Sequence, residues 1–391
     1  MRARVLFCVA AVCIAASGCA DTVGGSARTV HQVVGGIDSG ALVTGNFPTV
    51  AQPPFGRAGT VHAGVLLEAR RLASNVVPPF QVDPSLSDRT TTLANPLQSA
   101  DAVSLALPEP IPGGAANHNF ITGFATARRA MTKELINVVL RFGAPEDAMA
   151  AATDMSAKSA SIQTRYSGSQ STHPIPIPRH SGTAAFMYEV PSQVNVFAYT
   201  AHGPYVLCQH ASGTEGADAL INMVATTLDL QGPLIDQFSP TPVEQLPELQ
   251  IDPSGLWAST LSAEETPTVD EGVYDARAIL HFQENPPRSK QLFDSVGLQY
   301  GSISRDNVYQ MPDAAAAARA MDGLVADAEA HGTGAAGVRG LPAARCFKLK
   351  DAASQNFYCL AQADRYAIEA SDSDPEVREK VAAQYLVLTE K

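Results

Sequence analysis

The chain has 391 residues, of which 45% are apolar and 17% charged, and its formal net charge is −12. Disorder and a multi-span membrane protein are excluded by that balance, and an acidic chain gains nothing from counterion release on nucleic acid. The length suits two globular units, each able to bury a core.

The start of the chain reads as a sorting signal. Arg2 and Arg4 precede an apolar run from Val5 to Ser17, and Ala16-Ser17-Gly18 leads into Cys19. This arrangement resembles a bacterial lipoprotein signal, which implies acylation (diacylglycerol and palmitate-type chains) of Cys19 after removal of residues 1–18. No polybasic stretch assists adhesion, so the acyl chains supply the attachment, at about 0.8 kcal/mol per buried methylene. Residues 19–40, with five glycines, read as a flexible tether.

Beyond the tether, Gly64–Val76 has helical spacing and is stopped by Pro78 and Pro79. Ala125–Asn137 is expected to be a helix through Ala127, Met131 and Leu135, followed by a strand at Val138–Phe142. A unit then occurs twice. In the first copy the helix Ala144–Lys158 precedes strands at Thr183–Val190, Val194–Thr200 and Tyr205–Cys208 and a helix at Glu215–Leu228. In the second, a strand at Asp306–Met311 and a helix at Pro312–Ala330 precede strands at Cys346–Lys350, Gln355–Cys359 and Tyr366–Glu369. A helix at Pro375–Val387, with Asp374 as its cap, closes the copy. The expected class is α+β: two domains, each an antiparallel sheet with helices on one face, arranged as a tandem duplication. The four prolines of Gln231–Asp252 place the boundary near Ser239, giving domains at 41–238 and 239–391 and a linker with few contacts of its own.

These landmarks resemble a family of mycobacterial and related actinobacterial lipoproteins of unknown function. The resemblance rests on Thr44–Thr49, Glu68-Ala69-Arg70-Arg71-Leu72-Ala73, Val82-Asp83-Pro84, Pro240–Leu256, Tyr274-Asp275-Ala276-Arg277 and the late cysteine pair. It implies a cell-envelope location and two domains, and it implies no reaction.

Motifs for chemistry are scarce. Gly332–Gly337 spells G-x-G-x-x-G but follows a helix, so its glycines end that helix rather than cradle a dinucleotide. No nucleophile elbow or paired-histidine zinc helix is present, and His173 and His180 flank a proline-rich loop at no standard metal spacing. Neither His202 and His210, around Tyr205–Cys208, nor the carboxylate pairs Glu146-Asp147 and Glu264-Glu265 suggest a defined site. No catalytic residue, metal or cofactor is assigned.

Cys346 and Cys359 flank two short alternating runs. Pairing them places Lys348 opposite Phe357 and Lys350 opposite Gln355, a self-consistent hairpin register. In an oxidising compartment the pair forms a disulfide worth roughly 3 kcal/mol, and Cys208 is left as a buried thiol. The expected function is a lipid-anchored protein on the outer face of the cytoplasmic membrane. There it binds a small molecule, a lipid or an envelope protein rather than acting as an enzyme. A secreted hydrolase with a dispersed site and a structural assembly factor of the envelope are the alternatives.

Overall fold

A computed structural model of the protein describes residues 33–34, 37–164, 168–191, 193–262, 267–350 and 357–390. Cys19, nearly all of the expected tether and the Glu264-Glu265 pair lie outside the described residues. Two seven-stranded antiparallel sheets carry the architecture.

The first sheet contains β1 (Asn95–Leu97), β2 (Phe120–Arg129), β3 (Lys133–Phe142), β4 (His173–Ile175), β5 (Ala184–Val190), β6 (Gln193–His202) and β7 (Tyr205–Gly213). Helix α1 (Val61–Leu72) precedes it, α2 (Pro145–Lys158) follows β3, and α3 (Ala217–Ile235) follows β7. The second sheet contains β8 (Gly272–Asp275), β9 (Tyr300–Ile303), β10 (Asn307–Gln310), β11 (Gly332–Gly334), β12 (Arg345–Leu349), β13 (Phe357–Ala363) and β14 (Tyr366–Asp372). Helix α4 (Pro286–Val296) lies between β8 and β9, α5 (Ala314–His331) follows β10, and α6 (Glu376–Thr389) follows β14.

Strand order is β1-β2-β3-β7-β6-β5-β4 in the first sheet and β8-β9-β10-β14-β13-β12-β11 in the second. Position for position these are the same order, with a helix after the third strand and another after the seventh. The α+β class and the repeated unit are therefore as expected, with a refinement in where the helices lie. Ala148, Ala151 and Met155 of α2 pack with Val138, Phe197 and Cys208. Leu220, Val224 and Leu228 of α3 pack with Val139, Val196 and Leu207, the alternate positions of the same strands. The helices thus cover both faces of the sheet, and α5 and α6 do the same in the second half.

That double cover explains the longest element misread from the sequence. Ala125–Asn137 is not a helix; it is the β2–β3 hairpin, with Ala127 opposite Ile136 and Arg129 opposite Glu134. Spacing of four, as in Ala127, Met131 and Leu135, is close to one helical turn and is twice the strand period, so it fits both. With both faces of the hairpin buried, polar alternation is erased. Met131 is fully exposed at the turn, where the Ala130 N–H donates to the Lys133 carbonyl at 2.7 Å.

Helix α6 begins one residue later than expected: Pro375 takes the capping position without a side-chain bond, and Asp374 pairs with Arg378 instead. The GxGxxG segment supplies the edge strand β11. In the second sheet Cys346 faces Cys359 and Lys348 faces Phe357, the register derived from the sequence; Gln355 and the turn lie outside the described residues. The two sulfurs are 2.00 Å apart and the Cα atoms 4.1 Å apart, a spacing of non-hydrogen-bonded strand neighbours. Both side chains face α6, among Val381 and Tyr385.

The proline-rich segment after α3 is not a passive spacer. Leu246 is fully buried, and α1 approaches it so closely that a Cβ on Gly64 would lie 2.3 Å from the Leu246 carbonyl oxygen. Residues near the start of the described chain cross to the second half: the Gln52 N–H donates to the Ala258 carbonyl at 2.8 Å, and Phe47 packs with Leu261 and Val387. One continuous buried cluster joins Leu72, Phe124 and Val224 of the first half to Tyr274, Ile279, Tyr309 and Leu360 of the second.

Candidate functional site

The junction of the two halves gathers most of the buried charge. Thr60 caps α1 by accepting the Ala63 N–H at 3.1 Å, and the helix is buried almost all round. Glu68, fully buried on α1, accepts from Arg141 of β3 at 2.6 Å and from Arg71 at 2.5 Å. Thr241 adds its N–H at 2.8 Å and its hydroxyl at 2.9 Å. Four donors on one carboxylate satisfy the charge that burial would otherwise make costly, and they tie α1 to the sheet and to the inter-half segment.

Arg70 turns toward the second half. Its Nε and Nη2 donate to the Val269 carbonyl at 3.3 and 3.2 Å, and its guanidinium lies 5.0 Å from the ring centre of Trp257. Burial pulls its pKa below the ordinary arginine value. The approach depends on Gly272, where a Cβ would sit 2.9 Å from Arg70 Nη1.

Ser74, just past α1, donates to Asp275 Oδ2 at 2.6 Å, while Asp275 Oδ1 accepts the Arg277 and Ala278 N–H groups at 3.0 and 2.8 Å. The short helical turn that Asp275 caps delivers His281 into the first half. His281 Nε2 lies 3.0 Å from the Ala73 carbonyl, which can only accept, so Nε2 carries the proton. Nδ1 therefore accepts from the Thr126 hydroxyl at 3.0 Å. Burial lowers the His281 pKa to about 4, and the ring is held neutral. Phe124, Thr126 and Arg128, alternate positions on one face of β2, all meet the 281–283 segment; Arg128 donates to the His281 and Gln283 carbonyls at 2.9 and 2.5 Å.

Beside this junction is a cleft of about 420 Å³. Leu67, Phe238, Ile251, Tyr274 and Tyr300 form its apolar walls, and Arg70, Arg71, Asn75 and Asp275 provide polar groups. Its size and position, between two domains, are those of a small-molecule site. The Glu68–Ala73, Pro240–Leu256 and Tyr274–Arg277 segments that carry the sequence resemblance all contribute to the cleft or its supports.

The residues singled out from the sequence lie elsewhere. Cys208 is sealed between the first sheet and α2, and burial pushes its thiol far above the ordinary range, which removes it as a nucleophile. His180 pairs with Asp229 at 2.8 Å and His202 with Asp236 at 2.6 Å. His173 is on the edge strand β4, and His210 stacks on Phe197 at 4.1 Å, its pKa lowered to about 4 by burial. Asp147, at the start of α2, accepts from Asn119 at 3.0 Å. Among the described residues no group of three or more His, Cys, Asp or Glu side chains could hold a metal ion. The cleft was missed because Arg70, Tyr274 and Phe238 are brought together from three distant segments. The available hint was Glu68 and Arg70 interrupting the apolar side of one helix.

Residues 55–251 match the N-terminal part of a family described as a domain of unknown function, DUF7373, and residues 256–391 match its C-terminal part. The chain belongs to the DUF7373 family. The two matched parts correspond to the two sheets, and the cleft of this DUF7373 protein takes residues from both. The extracellular domain of PknH from Mycobacterium tuberculosis is similar over 43% of this chain and 96% of that one, with 10% identity and a TM-score of 0.31. No curated protein matches the chain at a significant level.

Proposed function

We propose that this DUF7373 protein is a lipid-anchored, extracytoplasmic binding protein of the cell envelope whose ligand sits in the cleft between its two domains. The observation that carries the reading is the cleft itself: about 420 Å³, walled by aromatic and aliphatic side chains, with converging arginine, amide and carboxylate groups. A ligand with an apolar face and several polar groups suits those walls. The sealed Cys208 thiol and the neutral, fully occupied His281 favour binding over covalent catalysis.

The anchor rests on the signal-like residues ending at Cys19, and acyl chains there would hold the protein at the outer face of the cytoplasmic membrane. Among the described residues no helix is long and apolar enough to cross a membrane. Two measurements test the reading. Labelled fatty acid is incorporated into the wild type and not into Cys19→Ala; incorporation into the variant refutes the anchor. Native mass spectrometry of the full chain from its own host shows a retained small molecule or partner, lost in Val273→Trp, which fills the cleft from β8. An adduct kept by that variant, or none in the wild type, refutes the cleft.

A further inference from the structure

Two buried guanidiniums of the first sheet are treated differently. Arg141 meets the Glu68 carboxylate at 2.6 Å, so its charge is neutralised in place. Arg128, only 3% exposed, donates to three backbone carbonyls, of Ser87, His281 and Gln283, and among the described residues no carboxylate lies within ion-pair distance of it. Carbonyl dipoles take three of its five hydrogens without cancelling its charge. A buried cation in that state is a site of residual positive potential.

Arg128 also lines a cavity of about 240 Å³ between the two halves, distinct from the cleft at α1 and β8. The volume holds far more than a single water. Arg89, at its exposed edge, donates to the Phe282 carbonyl at 3.2 Å and pairs with Glu284 at 2.6 Å; Thr92, Gln283 and Asn307 add polar groups to the wall. Asp270 is the one carboxylate on that wall among the described residues, and Glu284 and Asp88 act on Arg128 from beyond ion-pair distance. Burial lowers the Arg128 pKa to about 10, so the group is fully charged at neutral pH despite its surroundings.

We propose that this cavity binds a small oxyanion, a carboxylate or a phosphate group, as the counter-ion of Arg128. Arg128 offers the anion the hydrogens its carbonyls leave free, on Nε and Nη1, and Arg89 at the rim adds a guanidinium that it shares with Glu284. Because its walls come from both halves, the bound anion also ties the halves together. The site stands independently of any ligand in the larger cleft.

The test uses the full chain with sodium phosphate and sodium acetate as probes, each compared with sodium chloride at equal ionic strength. Thermal unfolding and titration calorimetry are the readouts. At least one oxyanion raises the melting temperature by a few degrees beyond chloride, with a saturable profile; phosphate alone identifies a phosphoryl ligand and acetate alone a carboxylate. Arg89→Gln, at the exposed rim, weakens the interaction by about tenfold. Asp270→Asn removes the opposing charge and tightens binding, an opposite change that a misfolded variant would not show. The proposal is overturned if neither anion exceeds chloride, or if both variants titrate like the wild type.

Discussion

Replacing Arg128 with methionine tests whether the two halves are joined through buried polar contacts. Methionine retains an apolar stem of similar reach while removing all the donors. Three carbonyls, the part-buried one of Ser87 at 3.2 Å and the buried ones of His281 at 2.9 Å and Gln283 at 2.5 Å, then lose their partner. At about 1–3 kcal/mol for each stranded group the gross loss is about 6 kcal/mol. Relief comes from no longer burying a cation, whose pKa is lowered from 12.5 to about 10; that returns about 3 kcal/mol and leaves a net loss of about 3 kcal/mol. Urea unfolding of Arg128→Met reads this directly. The single tryptophan, Trp257, lies beneath Arg70 at the junction, so its fluorescence reports the junction while far-UV circular dichroism reports both sheets. Because one buried cluster spans the halves, both signals shift together by that amount. A loss below about 0.5 kcal/mol, within the range of ordinary surface substitutions, would refute the reasoning.

Two further outcomes follow from burial and from the cysteine pair. Asp306 is buried with both carboxylate oxygens lacking a partner among the described residues, and burial raises its pKa to about 8; its folded value exceeds the unfolded one, so its stability contribution is lost as pH rises from 3.8 through 8. His281, lowered to about 4, acts in the opposite sense and only below pH 6.5. From pH 6.5 to 8, therefore, the wild type loses about 2 kcal/mol in urea titrations, and Asp306→Asn flattens that slope; an unchanged slope in the variant assigns it elsewhere. The double variant Cys346→Ala and Cys359→Ala, opening a loop with a sequence separation of 13, loses about 3 kcal/mol. Calorimetry shows the whole transition moving down; two resolved transitions with only one shifted would contradict a core shared by both halves.

Local spacing was sufficient for several features of this protein. The helix after the third strand of each unit follows from proline and acidic residues opening an alanine-rich run. The Cys346–Cys359 register follows from the period of two that any hairpin imposes. The α+β class and the doubled unit come from the same short-range patterns. Tertiary structure decided the rest. Whether 125–137 is a helix or part of a hairpin turns on both faces being covered, which no local window contains. As a hairpin it aligns Phe124, Thr126 and Arg128 on one face toward the second half; as a helix it would have scattered them. The partners of the buried charges are remote: Glu68 and Arg141 are 73 positions apart, Arg128 and the His281 carbonyl 153, and Arg70 and the Val269 carbonyl 199. A charged residue in a sequence reads as surface because water is its cheapest partner. Only the folded chain brings carbonyls and a carboxylate close enough to replace that water, and only there do the buried charges and the cleft beside them exist.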